Sequence, residues 1–198
     1  KAMQNQKEMA MASWKGSGEK EISPFFKEYL QSSPPTEFEG YTQTQSESLT
    51  TAILKNDKEI DFASEGEEIT FLTKSTPFYG ESGGQVGDFG KASNENVQLE
   101  ITSSTKPVPE LIAHHAKVIS GSIKKGDKIS LQVDQTSRQN TALNHTSTHL
   151  LHAALKTVLG DHVKQAGSLV SPDRLRFDYS HFSPLAEKER SRIETLVN

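Results

Sequence analysis

Short apolar runs separated by turn-forming residues make up the chain from about residue 36 to residue 134. In the last of these runs, residues 129–134, apolar and polar side chains alternate with a period of two, which is typical of a half-buried β-strand. The turn before it contains Gly126, a residue type that adopts positive φ without steric strain. Comparable runs occupy residues 49–54, 68–72, 97–101 and 116–119. About six strands at this spacing predict a small β-barrel or a β-sandwich.

The apolar period lengthens to about 3.6 residues from Arg138 onward, which predicts one long helix. Gly160 follows the last apolar position, and glycine is common just past the end of a helix. The predicted apolar face of this helix consists of Leu143, Leu150, Leu151, Ala154, Leu155 and Val158.

The N-terminal part of the chain contains two further helix signals. Residues 1–13 are rich in Ala, Met, Gln, Glu and Lys, which favour a helix. A second helix is predicted after Ser23 and Pro24, because serine is a capping residue and proline suits the first helical position. The Pro-Pro pair at 34–35 must end that helix. Position 36 is therefore a candidate domain boundary.

The C-terminal part of the chain combines a strand with a helix. Residues 174–179 alternate as a strand does, and residues 187–197 have a helical pattern. The complete pattern predicts an α+β fold. A length of 198 residues is enough for one large domain or two small ones.

The composition excludes several classes of protein. Apolar residues account for 33% of the chain, and no apolar run approaches the roughly 20 residues of a membrane span. The N-terminus lacks the apolar stretch of a secretory signal and an initiator Met, so we expect a segment of a longer, non-secreted protein. The absence of cysteine excludes disulfides, thiolate zinc sites, thiol catalysis and iron–sulfur clusters within the chain. Any metal must bind through His, Asp or Glu.

Charge is unevenly distributed along the chain. The net charge is −4, from 22 basic and 26 acidic residues, which argues against nucleic-acid binding by bulk electrostatics. Residues 1–70 contain 7 basic and 13 acidic side chains, and the remaining residues carry a net charge of +2. An RNA contact is therefore expected in the later part of the chain.

The long helix carries the strongest local signal for chemistry, His145 and His149. Residues four apart share one helix face, so their imidazoles can converge on a metal ion, and His152 lies near the same stripe. The metalloprotease motif needs a glutamate after the first histidine, and Thr146 stands there instead, which disfavours peptide hydrolysis. Catalytic zinc generally needs three protein ligands, so a further ligand must come from elsewhere. Taken alone, the pair is equally typical of ordinary surface or core histidines.

A second candidate is the glycine-rich segment 76–90, which contains four glycines between Gly83 and Gly90. Such a segment lets backbone amides approach a sugar or a phosphate. It lacks the Gly-Lys-Ser/Thr of a Walker loop and the following helix of a dinucleotide-binding fingerprint. By itself, it is more often a hairpin with glycine-rich turns.

Several polar residues after the long helix give weaker signals. Gln165 can donate and accept hydrogen bonds to a ligand, although an exposed loop glutamine is the commoner explanation. Arg174 and Arg176 can contact phosphates, but strand arginines more often pair with carboxylates such as Asp173 or Asp178. The other histidines are interpreted as structural, namely His114, His115, His162 and His181.

Three segments occur in the order and spacing of one family. They are residues 76–90, Asn-His-Thr-Ser-Thr-His-Leu-Leu-His at 144–152, and Gln-Ala-Gly-Ser-Leu-Val through Leu-Arg-Phe-Asp-Tyr-Ser-His at 165–181. Together they resemble the central part of alanyl-tRNA synthetases, in particular the editing domain, and the resemblance covers nearly the whole chain.

The resemblance implies an α+β architecture of three regions. Residues 1–35 would be a helical connector from the preceding tRNA-recognition region. Residues 36–135 would form a small β-barrel with the glycine-rich segment. Residues 136–198 would be the N-terminal part of an α/β editing domain, of the second additional domain type shared by threonyl- and alanyl-tRNA synthetases.

The resemblance also implies an activity, the zinc-assisted hydrolysis of tRNA(Ala) wrongly charged with serine or glycine. A pocket for alanine discriminates poorly against a residue that adds a hydroxyl or lacks a methyl, so a second, hydrolytic site is needed. Charging of tRNA(Ala) with alanine, which uses ATP and Mg, would belong to a ligase domain that precedes Lys1. The expected partner is tRNA(Ala), with no role for DNA or a membrane, and the expected location is the cytoplasm.

Residue by residue, the resemblance assigns His145 and His149 to zinc, and Gln165 and Thr148 to the catalytic pocket, where the Thr148 hydroxyl would read the serine side chain. The implied substrate-binding residues are Gly83, Gly84, Gln85 and Arg176. The family's remaining zinc ligands form a Cys-x-x-x-His pair that would lie beyond Asn198. The 198-residue segment by itself is therefore expected to be inactive.

Two other functions remain open at this point. A non-catalytic module would use the barrel and the glycine-rich segment to position the tRNA acceptor end. An unrelated zinc hydrolase would cleave simple esters or peptides without tRNA, and Thr146 in place of glutamate argues against it.

Overall fold

The computed structural model describes residues 23–198, so the helix predicted for residues 1–13 lies outside the described residues. The elements, in chain order, are α1 (Pro24–Ser32), β1 (Glu37–Phe38), β2 (Gln45–Lys55), β3 (Lys58–Ile60), β4 (Phe62–Ser64), β5 (Glu68–Thr73), β6 (Ser75–Thr76), β7 (Gly90–Asn94), β8 (Val97–Thr105), β9 (Ala113–Lys124), β10 (Lys128–Val133), α2 (Gln135–Leu159), β11 (Gln165–Val170), β12 (Leu175–Tyr179) and α3 (Glu187–Val197). The arrangement is α+β, as the sequence pattern predicts.

Six of the described strands close into an antiparallel barrel. The order is β10, β7, β8, β9, β5 and β2, and β2 then pairs back with β10 through Ser46 and Leu131. This return pairing distinguishes a barrel from a sandwich, the two architectures that the strand pattern allows. Strands β3 and β4 extend the sheet beside β2 and β9.

The barrel interior is filled by side chains from alternate positions of its strands. Strand β8 shows this directly, because Val97, Leu99 and Ile101 are buried while the residues between them are exposed. Phe71 and Phe78 complete the interior, and each large apolar side chain buried in this way contributes roughly 1.5–3 kcal/mol. The barrel is therefore a solid support for the loops that leave it.

Helix α1 packs on the outside of the barrel. Phe26 is buried in a second apolar cluster that includes Leu54, Leu72 and Leu111. The helix ends at Ser32 and the next residue is extended, as the following Pro-Pro pair requires.

His114 is a buried polar residue in the barrel wall. Its ring stacks on Phe71, with the ring centroids 4.9 Å apart. Nδ1 lies 3.2 Å from the Phe71 carbonyl oxygen, and Nε2 lies 2.8 Å from the Thr76 hydroxyl. An imidazole that donates from Nδ1 and accepts at Nε2 satisfies both contacts in its neutral form. This arrangement agrees with the structural role predicted for His114.

The stability of the chain should fall in acid because of His114. Burial lowers the pKa of this imidazole from 6.5 to about 4. Between pH 6.5 and pH 4, His114 is therefore protonated in the unfolded chain and neutral in the folded chain. The stability that the neutral imidazole contributes is complete above about pH 6.5 and is lost as the pH falls to 4. Between pH 7 and pH 4, we expect the intact chain to lose about 3 kcal/mol more unfolding free energy than a His114→Gln variant. Urea titrations at several pH values measure this difference, and parallel pH profiles would contradict it.

Helix α2 confirms the long helix and its glycine end. Gly160 has φ 112° and its N–H donates to the Lys156 carbonyl. The helix starts at Gln135, three residues before the predicted start, because the Asp134 carboxylate caps it by accepting from the Ser137 N–H at 2.8 Å.

The apolar face predicted for α2 is only partly correct. Leu143 and Leu150 are 59% and 49% exposed. The other four predicted residues lie in a cluster with Val163 and Ile193. Leu143 and Leu150 are exposed because β12 and α3 cover only one stripe of α2. The period of the apolar residues does not give the width of that stripe.

The β11–β12 hairpin and α3 complete a small α/β unit against α2. Strand β12 and helix α3 confirm the elements predicted for 174–179 and 187–197. Gln165, predicted to lie in a loop, instead begins β11, where it pairs with Tyr179. No helix within residues 23–198 is long and apolar enough to cross a membrane.

Candidate functional site

Helix α2 places His145 and His149 side by side on its exposed surface. The imidazole centroids are 5.0 Å apart and the ring planes are inclined by 45°. This proximity follows from the spacing of four residues, which stacks side chains one above the other along a helix. The predicted pairing of the two histidines is thus present in the fold.

A tight turn at residues 82–85 faces this helix. Ser82 and Gln85 exchange two backbone hydrogen bonds, of 3.1 and 3.0 Å. Gly83 and Gly84, between them, have φ values of 60° and 83°. Two successive positive φ values are the requirement of a type I′ turn, which explains the Gly-Gly pair. The glycine-rich segment therefore contains a hairpin-like turn, the explanation favoured by its composition, and that turn also lies beside the histidines.

Gln85 links the turn to the histidine pair. Its side-chain oxygen Oε1 lies 2.8 Å from Nδ1 of His145. The two residues are 60 positions apart in the chain, so the folded structure brings together two candidates that the sequence presents separately.

The same turn is joined to strand β11 by backbone hydrogen bonds. The Val170 N–H donates to the Gly84 carbonyl at 2.7 Å, and the Val86 N–H donates to the Val170 carbonyl at 3.0 Å. The turn thereby acts as a short extra strand beside the β11–β12 hairpin. The barrel loop, helix α2 and the hairpin meet at one place.

Arg138 fixes the start of α2 to the barrel. Its guanidinium forms an ion pair with Asp88, and it also donates to the carbonyls of Gly40 at 2.9 Å and Pro77 at 2.7 Å. Asp88 accepts a further hydrogen bond from the Tyr79 N–H. Neither residue was singled out in the sequence as functional. Because the partners lie 50 positions apart, no local pattern indicates the pair.

Thr148 lies on the buried side of α2, and its hydroxyl donates to the Asn144 carbonyl at 2.8 Å. The hydroxyl hydrogen of Thr148 is therefore donated within the helix, and its oxygen can still accept a hydrogen bond. Asn144 in turn donates to the Ser171 carbonyl at 2.8 Å, which ties this side of the helix to the end of β11.

Gln165 is exposed, and Ser168 lies between it and the turn at residues 82–85. Its Nε2 donates to the Ser168 hydroxyl at 3.1 Å. A Cβ atom built on Gly84 would come within 2.6 Å of that same hydroxyl oxygen. Gln165, Ser168 and the glycine turn are thus neighbours.

Arg176 is exposed and pairs with Asp178 at 3.1 Å, the partner that strand spacing suggests. The structure gives it no contact with either histidine of α2. In contrast, His162 and His181, treated as separate structural residues in the sequence, meet at 2.9 Å and stack their rings. The β11–β12 hairpin lies between these two histidines in the sequence, so no local pattern indicates their contact.

The residues of the site fit a zinc ion in part. Two adjacent imidazoles are suitable zinc ligands, and the contact with Gln85 occupies Nδ1 of His145 while leaving Nε2 available. Within residues 23–198 there is no group of three or more His, Cys, Asp or Glu side chains that could hold a metal. The described residues therefore offer two neighbouring imidazoles, and a zinc site there would need at least one more protein ligand.

Substitutions in the glycine turn should separate conformational strain from close packing. Both Gly83 and Gly84 have positive φ, but a Cβ on Gly83 meets nothing within 4 Å, whereas one on Gly84 would lie 2.5 Å from the Ser168 carbonyl oxygen. We expect Gly83→Ala to lower the unfolding free energy by about 1 kcal/mol and Gly84→Ala by about 2 to 3 kcal/mol. Urea unfolding of the two variants measures the difference. Equal losses would show that the turn does not press against β11.

Comparison with known proteins identifies the family. A family model described as tRNA synthetases class II (A) matches residues 1–137. The chain belongs to this family. The chain is 44% identical over 197 residues to the alanine–tRNA ligase of Magnetococcus marinus. This match covers 99% of the chain and 22% of that relative. The alanine–tRNA ligases of Chelativorans sp. (45% identical, 100% of the chain) and Nitratidesulfovibrio vulgaris (44%, 99%) are likewise covered over 22% of their length.

These matches confirm the resemblance to alanyl-tRNA synthetases that the three motifs indicate. The class II synthetase model covers the barrel and the glycine turn, and the similarity to the ligases continues through the histidine pair and the β11–β12 hairpin. The chain spans about a fifth of the length of these relatives.

Proposed function

We propose that this segment supplies part of the hydrolytic editing site of an alanine–tRNA ligase, a site that cleaves serine or glycine from mischarged tRNA(Ala). The observation that carries the proposal is the contact between Gln85 and His145, at 2.8 Å, which joins the glycine-rich turn to the histidine helix. This contact supports a site because it joins two motifs that lie far apart in the sequence. The chain that carries both motifs is 44% identical to an alanine–tRNA ligase.

The site answers a problem of selectivity. A pocket that accepts alanine cannot strongly reject a residue that merely adds a hydroxyl, nor the smaller glycine. Hydrolysis of the wrong ester at a second place removes the error. Zinc bound to His145, His149 and at least one further ligand would supply Lewis-acid polarisation of the ester carbonyl.

The chain's own residues would bind and orient the aminoacyl end. Gly83 and Gly84 would bind substrate through the exposed backbone of their turn. A Cβ on Gly83 would lie in open space, so its absence lets a sugar approach the backbone there. Gln165 can exchange its Ser168 contact for a hydrogen bond to substrate. The Thr148 oxygen, still free to accept, suits the hydroxyl of a seryl group. Arg176, two thirds exposed, would contact a phosphate.

The longer protein would charge tRNA(Ala) with alanine, using ATP and Mg in a separate ligase domain. The names of the relatives support this activity, and a role in translation implies the cytoplasm.

A hybrid ligase tests the proposal. The segment replaces the matching 197 residues of the Magnetococcus marinus enzyme, which keeps the surrounding chain. Release of serine, glycine and alanine from the three esters of tRNA(Ala) is measured, together with tRNA affinity. We expect the seryl ester to be cleaved at least about 100-fold faster than the alanyl ester, a ratio within reach of a pocket built around a hydroxyl. The glycyl ester should also be cleaved faster than the alanyl ester, because glycine lacks the methyl group that the pocket must exclude.

The alternatives give different results in the same hybrid. Tight tRNA binding with all three esters left intact would replace the editing site by a non-catalytic module that positions the acceptor end. Cleavage of simple esters in the absence of tRNA would indicate an unrelated hydrolase.

A further inference from the structure

Gln85 makes a contact that its implied role as a substrate-binding residue does not explain. Its side-chain oxygen is directed at Nδ1 of His145, 2.8 Å away, and not toward open space. A neutral amide oxygen can only accept a hydrogen bond. The contact therefore requires that Nδ1 of the imidazole carry the hydrogen.

The backbone of Gln85 is held by hydrogen bonds of its own, separate from the side-chain contact. Its N–H donates to the Ser82 carbonyl at 3.0 Å and its carbonyl accepts from the Ser82 N–H at 3.1 Å. On either side of it, Gly84 and Val86 are hydrogen-bonded to Val170. Only the side-chain torsions of Gln85 lose freedom when its amide meets the imidazole, because these hydrogen bonds already fix the backbone.

The chemical consequence falls on the other ring nitrogen. When Nδ1 holds the hydrogen of a neutral imidazole, the lone pair lies on Nε2. A metal-binding histidine is commonly oriented in this way, with its distal N–H donated to an acceptor outside the metal shell. His149 differs from His145 in this respect. Within residues 23–198 the His149 imidazole has no hydrogen-bond partner, so no neighbouring group fixes its tautomer.

We propose that Gln85 is a positioning residue that fixes the Nδ1–H tautomer of His145 and thereby presents Nε2 as a donor atom. The tautomer follows from the contact itself, whereas its use for binding zinc rests on the proposed function. A turn at the end of the barrel thus sets the tautomer of a histidine on α2.

An amide suits this role because it holds the ring without adding charge. A carboxylate at the same place would also accept from Nδ1–H, but it would in addition stabilise the imidazolium cation, which has no lone pair for a metal. Gln85→Glu should therefore preserve the tautomer at high pH, and Gln85→Leu, of similar size, should release it.

Long-range 1H–15N NMR spectra of the metal-free chain, labelled in histidine and recorded at pH 8, test the proposal. We expect His145 to show a protonated Nδ1 and an unprotonated Nε2. This pattern should persist in Gln85→Glu and change to a mixture of tautomers in Gln85→Leu. The matched control is Gln98→Leu, an exposed glutamine on the barrel, which should leave the His145 signals unchanged.

Metal affinity provides the second measurement. In the hybrid ligase, Gln85→Leu should weaken zinc binding by about 10- to 100-fold, while Gln98→Leu should not. A His145 that carries its hydrogen on Nε2 in the intact chain, or a Gln85→Leu spectrum without change, overturns the proposal. If Gln85→Leu does not fold, the intact chain and Gln85→Glu decide. An intact tautomer with no ester hydrolysis would reject the proposed function and leave the positioning role standing.

Discussion

Replacing Arg138 by methionine should lower the unfolding free energy by about 3 to 5 kcal/mol, the usual result of removing one partner of a buried ion pair. The side chains of Arg138 and Asp88 are 19% and 7% exposed. Without the guanidinium, the Asp88 carboxylate stays buried with no cation beside it. The carbonyls of Gly40 and Pro77 lose their donors as well. Urea unfolding of the chain measures the loss.

Arg176→Met is the matched control for this prediction. Arg176 and Asp178 are 65% and 45% exposed, and an ion pair in contact with solvent contributes less than about 1 kcal/mol. Similar losses in the two variants would contradict the view that Arg138 anchors α2 to the barrel. A small loss in both would mean that the buried pair contributes little.

Replacing His145 by alanine in the hybrid ligase should reduce hydrolysis of the seryl ester by at least about 100-fold, or about 2.7 kcal/mol of transition-state stabilisation. The variant lacks one zinc ligand and leaves the Gln85 oxygen without its donor. Affinity for tRNA(Ala) should be retained, because the substitution leaves Arg176, the proposed phosphate contact, in place. Single-turnover release of serine, with tRNA binding measured in parallel, tests this expectation.

His152→Leu controls for the loss of any histidine on this helix. His152 packs its ring against Phe177, with centroids 5.0 Å apart, and its Nε2 is buried without a partner in the described residues. A leucine there should leave hydrolysis unchanged. If His145→Ala hydrolyses the ester as fast as His152→Leu, His145 has no part in the reaction.

The parts of the fold that depend on local pattern are predictable from the sequence. Strand β10 follows from its period of two, and helix α2 from its period near 3.6 and from Gly160. The neighbourhood of His145 and His149 is equally local, because the helix itself places residues four apart on one face.

The contacts that assemble the site are not local, and no pattern indicates them. Gln85 and His145 are 60 positions apart, and Asp88 and Arg138 are 50 apart. Each pair exists only in the folded arrangement, in which α2 packs beside the closed barrel. The exposed Leu143 shows the same limit, because its environment depends on what covers the helix.

In the proposed function, the histidine pair on α2 forms part of a zinc-dependent hydrolytic site. Its most direct test is a zinc titration of the metal-free hybrid ligase, with release of serine from seryl-tRNA(Ala) followed at each addition. We expect hydrolysis to rise from near zero and to reach its plateau at one zinc per chain, and to stay near zero in a His145→Ala, His149→Ala double variant. Full hydrolysis by the metal-free hybrid, or by the double variant, would show that neither zinc nor the two histidines are needed for the reaction.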